Sequence, residues 1–358
     1  MKLNKLKDIE LLKNIAIVLV LLGHAGCIYA GKWSYSLVHM NSNFIRYITE
    51  YIYSFHMPLY VFISGYIYNY MRIKLNKYDN LQSFIQNKFK RLIIPYLFTG
   101  ILFMIPLQTL FNVYTDDISI ANRMIVGILL SKQPAHLWYL VMLFNIFIIF
   151  RVFESRIRDN KYYINITLLI ILNVISVLVP NVYQLSNVLR YLIYFYIGYI
   201  INENFESIKS IKLSIVFLIH MFLFNIYYFI IDNISMNIPM KLTLWILQIV
   251  ISISGIAYLY ISVNVLLKSK NIDSRITNSR IYNVINKYNF YIYLLHQPIM
   301  LSIISVLRNI DIKPIFMYTI LFILTLGLTV LIAIVIDNYK KKYKSLLIGF
   351  SNKSEGVQ

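Results

Sequence analysis

Residues 242–267 read LTLWILQIVISISGIAYLYISVNVLL, a run without one Asp, Glu, Lys or Arg. An uncharged apolar stretch of about 18 residues or more can cross the hydrocarbon core of a bilayer as a helix. Similar runs recur along the chain, at 213–231 and 315–337 among others. Of the 358 residues, 59% are hydrophobic and 14% charged, against roughly half and a quarter in soluble domains. This excludes a disordered chain, which is poor in apolar residues, and a compact soluble enzyme. A membrane β-barrel would be written in short segments of alternating hydrophobicity, and these runs are continuous. The fold class expected is all-α, a polytopic integral membrane protein.

Ten spans are expected, at 12–31, 47–70, 92–112, 137–150, 164–179, 188–201, 213–231, 242–267, 288–307 and 315–337. The connections between them alternate in basic charge. One side collects 26 Lys and Arg, among them Lys7, Lys13, Arg72, Lys90, Arg91, Arg151, Lys212, Arg275, Lys287 and Lys340. The other side holds only Lys32, Arg46, Arg123, Lys132, Arg190, Lys241, Arg308 and Lys313. Basic residues are retained on the cytoplasmic side, so both termini are expected in the cytoplasm of a multi-pass plasma-membrane protein. In a soluble chain the net charge of +19 would suggest nucleic acid. Here topology accounts for most of it, and the bilayer rather than nucleic acid is the expected partner. The first apolar run continues through Ile28 without a small-residue cleavage site, so a retained helix is expected. The longest polar connection, 71–91, is too short to fold alone. That leaves a single membrane domain over 1–358, ending in a basic tail at 338–358. Within the outer segment 113–136, residues 125–130 are apolar but too short to span, which suits an interfacial or re-entrant helix. Cys27 is the only cysteine, so no internal disulfide or cysteine metal cluster can form, and no metal is expected.

An ionisable side chain inside hydrocarbon is costly and is therefore a candidate for function. His24, His56, His220 and His296 lie within expected spans, His39 lies in a connection, and His136 sits at the outer mouth of the fourth span. At 1.5 Å per residue, His24, His56 and His296 each lie about 12–16 Å deep, near the middle of a core about 30 Å thick. Three histidines at one depth on three helices can line one cavity. The plainer alternative is that each bonds a neighbouring helix. Lys13 and His24 are eleven residues apart, about three turns, and share a helix face. Glu10 is placed to pair with Lys13. Pro58 follows His56 and would free the carbonyl of Ser54, while Pro298 follows His296 and Gln297. Such breaks are tolerated where helices line a cavity. Ser64-Gly65 suits close helix approach. The six basic residues of 71–91, Lys90 and Arg91 among them, suit a polyanion arriving from the cytosol.

These residues fall in an ordered series. Glu10-x-x-Lys13-Asn14 leads to Gly23-His24. Then come Phe55-His56-Met57-Pro58-Leu59, Phe62-Ile63-Ser64-Gly65-Tyr66 and Lys90-Arg91-Leu92-Ile93-Ile94-Pro95-Tyr96. Leu137-Trp138-Tyr139-Leu140, Phe195-Tyr196-Ile197-Gly198-Tyr199 and Tyr291-Ile292-Tyr293-Leu294-Leu295-His296 complete it. In this order they resemble the membrane acyltransferase-three family, and within it the branch of fucose 4-O-acetylases and capsule polysaccharide O-acetyltransferases. Two positions depart from the family's pattern. Asn14 stands where the family usually has Gly, and Lys13 where many members have Arg, which loses a planar bidentate fork.

The resemblance implies transfer of an acyl group, usually acetyl from cytosolic acetyl-CoA. The acceptor implied is a sugar hydroxyl of a surface or capsular polysaccharide or of its lipid-linked precursor. Such transfer needs a base or an acyl-carrying nucleophile, with positive charge or donors near the thioester oxygen. His24 is the expected base or carrier, and His56 the second catalytic candidate. Lys13, Lys90 and Arg91 are expected at the CoA phosphates, with Glu10 in the same substrate-binding set as the partner of Lys13. His296 is expected on the acceptor side, with Trp138, Tyr139 and Tyr66 as sugar-stacking platforms. A transporter or flippase for a lipid-linked glycan would also set polar residues and broken helices at mid-membrane. The ordered motifs and the absence of an evident repeat weigh against it. A non-catalytic partner of a glycan synthase is the third alternative.

Overall fold

The computed structural model describes residues 6–31, 41–111, 113, 118–132, 134–202, 212–234 and 237–354. Lys32, His39 and Lys209 lie outside the described residues. Every regular element among those described is helical: α1 (Lys7–Ala25), α2 (Asn43–Tyr53), α3 (His56–Asn69), α4 (Leu81–Leu110), α5 (Ile120–Leu129), α6 (Ala135–Asp159), α7 (Tyr162–Leu178), α8 (Leu185–Ile201), α9 (Leu213–Asn233), α10 (Ile238–Lys268), α11 (Lys270–Thr277), α12 (Arg280–Leu307) and α13 (Pro314–Ser354).

Six of these are long and apolar enough to cross a membrane: α4, α6, α9, α10, α12 and α13 over Pro314–Lys340. The ten spans expected from sequence therefore do not all appear as helices of that kind. The run at 47–70 is two helices, broken at Ser54–Phe55. The run at 12–31 becomes α1, which carries Lys7, Asp8, Glu10 and Lys13 in its first two turns. The runs at 164–179 and 188–201 become the shorter helices α7 and α8. Conversely, α4 begins at Leu81 and takes up half of the expected polar connection, and α6 is much longer than the expected 137–150. The expected tail at 338–358 is a helical continuation of α13 through Ser354.

Helix α1 is the hub, packing on α2, α3, α10, α12 and α13. Leu12, Ala16, Ile17 and Leu21 are fully buried on it. Helix α12 runs beside it in the same direction. Lys7 pairs with Asp273 just ahead of α12 at 3.0 Å, and Asn289 donates to the Lys13 carbonyl at 3.2 Å. Asn14, the departure from the family's Gly, accepts from Asn289 at 3.4 Å and donates to the Tyr282 carbonyl at 3.4 Å. The larger side chain thus serves as a clamp between α1 and α12.

Proline decides where the helices deviate. In α4, π-helical turns at Phe89–Ile93 and Gly100–Met104 each give way to an α-helical stretch with Pro95 or Pro106 in its first turn. Proline has no N–H to donate, so the wider turn ends where its ring enters. In α3, Pro58 cannot bond the Ser54 carbonyl. That carbonyl instead accepts from Gln248 Nε2 and Ser252 Oγ of α10, each at 2.7 Å.

The connections grouped on one side by their basic charge meet at one end of the bundle. Glu154, buried on α6, accepts from Arg72 Nε at 3.1 Å, Arg151 Nη1 at 3.2 Å and the Tyr68 hydroxyl at 3.1 Å. Arg72 also holds Asp79 at 2.6 Å, and Lys287 holds Asp337 at 2.6 Å.

Helices α3 and α8 cross backbone to backbone. A Cβ on Gly65 would strike the Phe195 carbonyl, and one on Gly198 would strike the Phe62 carbonyl. Neither carbonyl is a flexible side-chain end, so the helices themselves would have to part. Gly65→Val or Gly198→Val is expected to destabilise the protein by about 1–3 kcal/mol, the range for overpacking a filled interior. Gly327→Ala, in open space inside α13, is expected to hold or slightly raise stability. Thermal unfolding in detergent checks both.

Candidate active site

The close passage of α1 and α12 brings His24 and His296 together at the bundle centre. His24 Nδ1 lies 2.9 Å from His296 Nε2, and the rings are 4.7 Å apart. His296 is fully buried and His24 nearly so. The proton positions follow from their partners. His296 Nδ1 lies 2.6 Å from the Tyr293 carbonyl and 3.2 Å from the Ile292 carbonyl. A carbonyl only accepts, so Nδ1 carries the hydrogen and the Nε2 of the neutral ring accepts. His24 Nδ1 must then donate to it. The lone pair of neutral His24 is thereby assigned to Nε2, the nitrogen away from His296.

His136 extends this chain on the far side of His296, with ring centroids 4.8 Å apart. Its backbone N–H and its Nδ1 both meet Gln297 Oε1, at 2.9 and 2.7 Å, and its Nε2 meets the Leu294 carbonyl at 2.9 Å. The Leu294 carbonyl is the one left without a helical donor by Pro298. Tyr293 closes the loop by donating its hydroxyl to the His136 carbonyl at 2.5 Å. A neutral imidazole has one N–H and can donate to only one of its two acceptors at a time.

His56 faces the same centre from α3. Its Nδ1 bonds the Ile52 carbonyl at 2.9 Å. Tyr53 stands between the two catalytic candidates, its ring 4.7 Å from His56 and 6.1 Å from His24. The Tyr53 hydroxyl is 2.8 Å from Cys27 Sγ, one turn beyond His24. Three histidines expected at one depth are thus gathered, and a fourth joins them. His220 is elsewhere, bonding Ser254 of α10 at 3.0 Å. For it the helix-packing alternative is the right one.

The remaining candidates are more scattered. Lys13 is half-buried three turns from His24. The Glu10 carboxylate acts on it electrostatically, as expected, without closing to a salt bridge. Glu10 instead accepts from the Tyr282 hydroxyl at 3.5 Å. Lys90 and Arg91 are exposed on the first π turn of α4, a helix packed mainly on α5, α6 and α12 rather than on α1. Tyr139 is buried, its hydroxyl 3.2 Å from Ser64 Oγ and its ring beside Tyr60 and Tyr293. Tyr66 is buried against Tyr260. Trp138 lines a cavity, beside Tyr191 at 5.4 Å.

His136, Gln297, Tyr53 and Asn289 were not singled out by sequence. One signal was available: a proline inside an apolar helix predicts a carbonyl in need of a donor. Which donor fills it is a tertiary fact. Among the described residues no three His, Cys, Asp or Glu side chains converge as metal ligands would.

An apolar helical bundle with six helices long enough to cross a bilayer has the make-up of an integral membrane protein, and this one closes around a group of buried histidines. The model of the acyltransferase-3 family, described as an acyltransferase domain, matches residues 6–334, and the chain belongs to that family. It is a membrane acyltransferase. Comparison with curated proteins and with solved structures returned no match.

If Pro298 matters because it reserves the Leu294 carbonyl for His136, restoring an N–H there should disturb the site and spare the helix. Pro298→Ala is expected to hold or raise thermal stability and to lower acyl transfer roughly tenfold, a fraction of the usual general-base contribution. Parallel melting and transfer assays check it.

Proposed function

We propose that this membrane acyltransferase is an O-acetyltransferase. It moves acetyl from cytosolic acetyl-CoA to a sugar hydroxyl of a surface or capsular polysaccharide, or of a lipid-linked precursor. The observation that carries this is the His24–His296 pair, whose hydrogen bonds set the lone pair of neutral His24 on Nε2. The sugar acceptor rests on the motif resemblance to fucose 4-O-acetylases and capsule O-acetyltransferases. The cytosolic donor rests on the end of the bundle where Lys13 lies, which carries most of the chain's basic charge and both described chain ends.

In this mechanism His24 Nε2 takes the proton of the acceptor hydroxyl as its oxygen attacks the thioester carbonyl. The C–S bond then breaks, and the same proton passes from His24 to the departing thiolate, giving the ester and free CoA. As the imidazolium forms, His24 keeps donating through Nδ1 to His296, which fixes the ring's orientation. A base aligned in this way contributes about 10²–10⁴ in rate. His56, across the Tyr53 ring, flanks the acceptor's approach. Lys13 serves the CoA phosphates: it is a half-buried ammonium on the same helix face as the base. Lys90 and Arg91, being exposed, act in this scheme only as an outer basic surface that attracts the polyanionic donor. The protein sits in the plasma membrane with both termini in the cytoplasm.

His24→Ala is expected to reduce glycan acetylation by 10²-fold or more at normal protein levels. Mass spectrometry of the surface polysaccharide, set against a deletion strain, reads the loss and names the acyl group. Unchanged acetylation in that variant would remove His24 from the mechanism. Altered glycan export without any acetyl difference would favour a lipid-linked glycan transporter. Lys13→Gln is expected to raise the apparent KM for acetyl-CoA, with Lys13→Arg restoring it because the charge is kept.

A further inference from the structure

At the end of the bundle away from Glu154, a cavity of about 610 Å³ opens between α4, α5, α6 and α8. Arg123, Lys132 and Arg190 all line it, with the rings of Trp138 and Tyr191 and the amide of Asn187. This end is the one whose connections are poor in basic residues, eight against 26. Topological sorting removes Lys and Arg from such an end, yet three of the eight converge on one cavity. Anchoring to lipid headgroups would scatter them around the rim instead.

The walls are built rather than incidental. Two loops are tied across the cavity by Tyr183 N–H donating to the Leu130 carbonyl at 3.1 Å and by Gln184 Nε2 donating to the Ser131 carbonyl. Gln184 Oε1 in turn accepts from Asn187 at 2.6 Å and Asn181 at 3.2 Å. Ser131, Ala135, Tyr183 and Gln184 all hold left-handed backbone conformations, which are costly for non-glycine residues and persist only where their surroundings impose them. The Arg190 guanidinium stacks over Trp245 at 4.2 Å. Buried Asn173 fixes both partners, donating to the Arg190 carbonyl at 2.5 Å and accepting from Trp245 Nε1 at 2.7 Å. A guanidinium held by its face keeps its edge free for a planar or tetrahedral oxyanion. The wall segment Pro134–Trp138 also carries His136, which touches His296. Cavity and histidine chain are therefore opposite faces of one short turn.

We propose that this cavity binds an anionic glycan, holding the acceptor by a part remote from the hydroxyl that meets His24 Nε2. Its sugar stacks on Trp138 and Tyr191, and its phosphate or carboxylate is held by Arg190 and Lys132. The proposal rests on the acyltransferase reading for the word acceptor, and its test does not.

The experiment uses the full-length protein purified in detergent, with equilibrium binding of three probes: maltotriose, a trigalacturonate and an isoprenyl-pyrophosphate-linked sugar. At least one charged probe is expected to bind at least tenfold tighter than maltotriose, with affinity falling as salt rises. Preference for the pyrophosphate probe assigns the anion to a lipid linker, and preference for trigalacturonate assigns it to the sugar itself. Lys132→Gln and Arg190→Gln are each expected to weaken that probe about tenfold. Arg190→Lys, which keeps the charge and loses the fork, should fall between. Unliganded melting of each variant separates lost binding from lost folding. Equal binding of the neutral probe, no binding of any probe, or unchanged charged-probe affinity in the well-folded double variant Lys132→Gln/Arg190→Gln overturns the proposal. The same binding is expected to survive in His24→Ala. Charged-probe binding with His24-independent transfer would sink the catalytic reading alone, and His24-dependent transfer without charged-probe binding would sink the cavity proposal alone.

Discussion

A carbonyl stripped of its helical donor inside a membrane cannot turn to water, and hydrocarbon offers it nothing. Two such carbonyls organise this protein. Pro58 strips Ser54, and Gln248 and Ser252 of α10 fill the vacancy. Pro298 strips Leu294, and His136 fills it. Each repair draws a helix or loop from elsewhere in the chain against the histidine centre. Leaving a buried polar group unpaired costs about 1–3 kcal/mol, so each proline enforces a tertiary contact as firmly as it breaks a local one. The break at Ser54–Phe55 and the docking of the turn before Trp138 both follow from this.

The second constraint is close approach. Gly65 and Gly198 let α3 and α8 touch backbone to backbone, while Asn14 and Asn289 clamp α1 to α12 through hydrogen bonds. Without a hydrophobic drive between helices in lipid, small residues and polar clamps are what remains to hold them. The polar clamp sits on the helix pair that carries His24 and His296. The centre is therefore held by directional bonds, which set rotation as well as distance. Mutual orientation of two imidazoles needs both.

Much of this was legible in the chain. Continuous apolar runs give the membrane class, because only length and charge content are needed. The segregation of Lys and Arg gave groupings that meet at one end of the bundle, as the Arg72–Glu154–Arg151 cluster shows. His24, His56 and His296 could be placed at one depth by counting residues, and Pro58 pointed to the Ser54 carbonyl by arithmetic alone. Partner identity was not legible. His136 lay outside the expected spans, and nothing local says that its turn folds back onto α12. Glu10 and Lys13 have the spacing of a pair, yet Tyr282 supplies Glu10 with a different neighbour. Residue type alone makes Tyr66 and Tyr139 suitable platforms, and only packing shows that both rings are enclosed. Periodicity reports which face a residue is on; it is silent about what stands opposite.

Cys27 is fully buried, with its thiol against the Tyr53 hydroxyl. A thiol without solvent access is inert to water-soluble alkylating reagents. The wild-type chain therefore has no reactive sulfur to remove before it can be mapped. Any cysteine placed on a connecting segment becomes the single addressable handle of the molecule. Sidedness, distances and motions can then be read by labelling with the native centre intact.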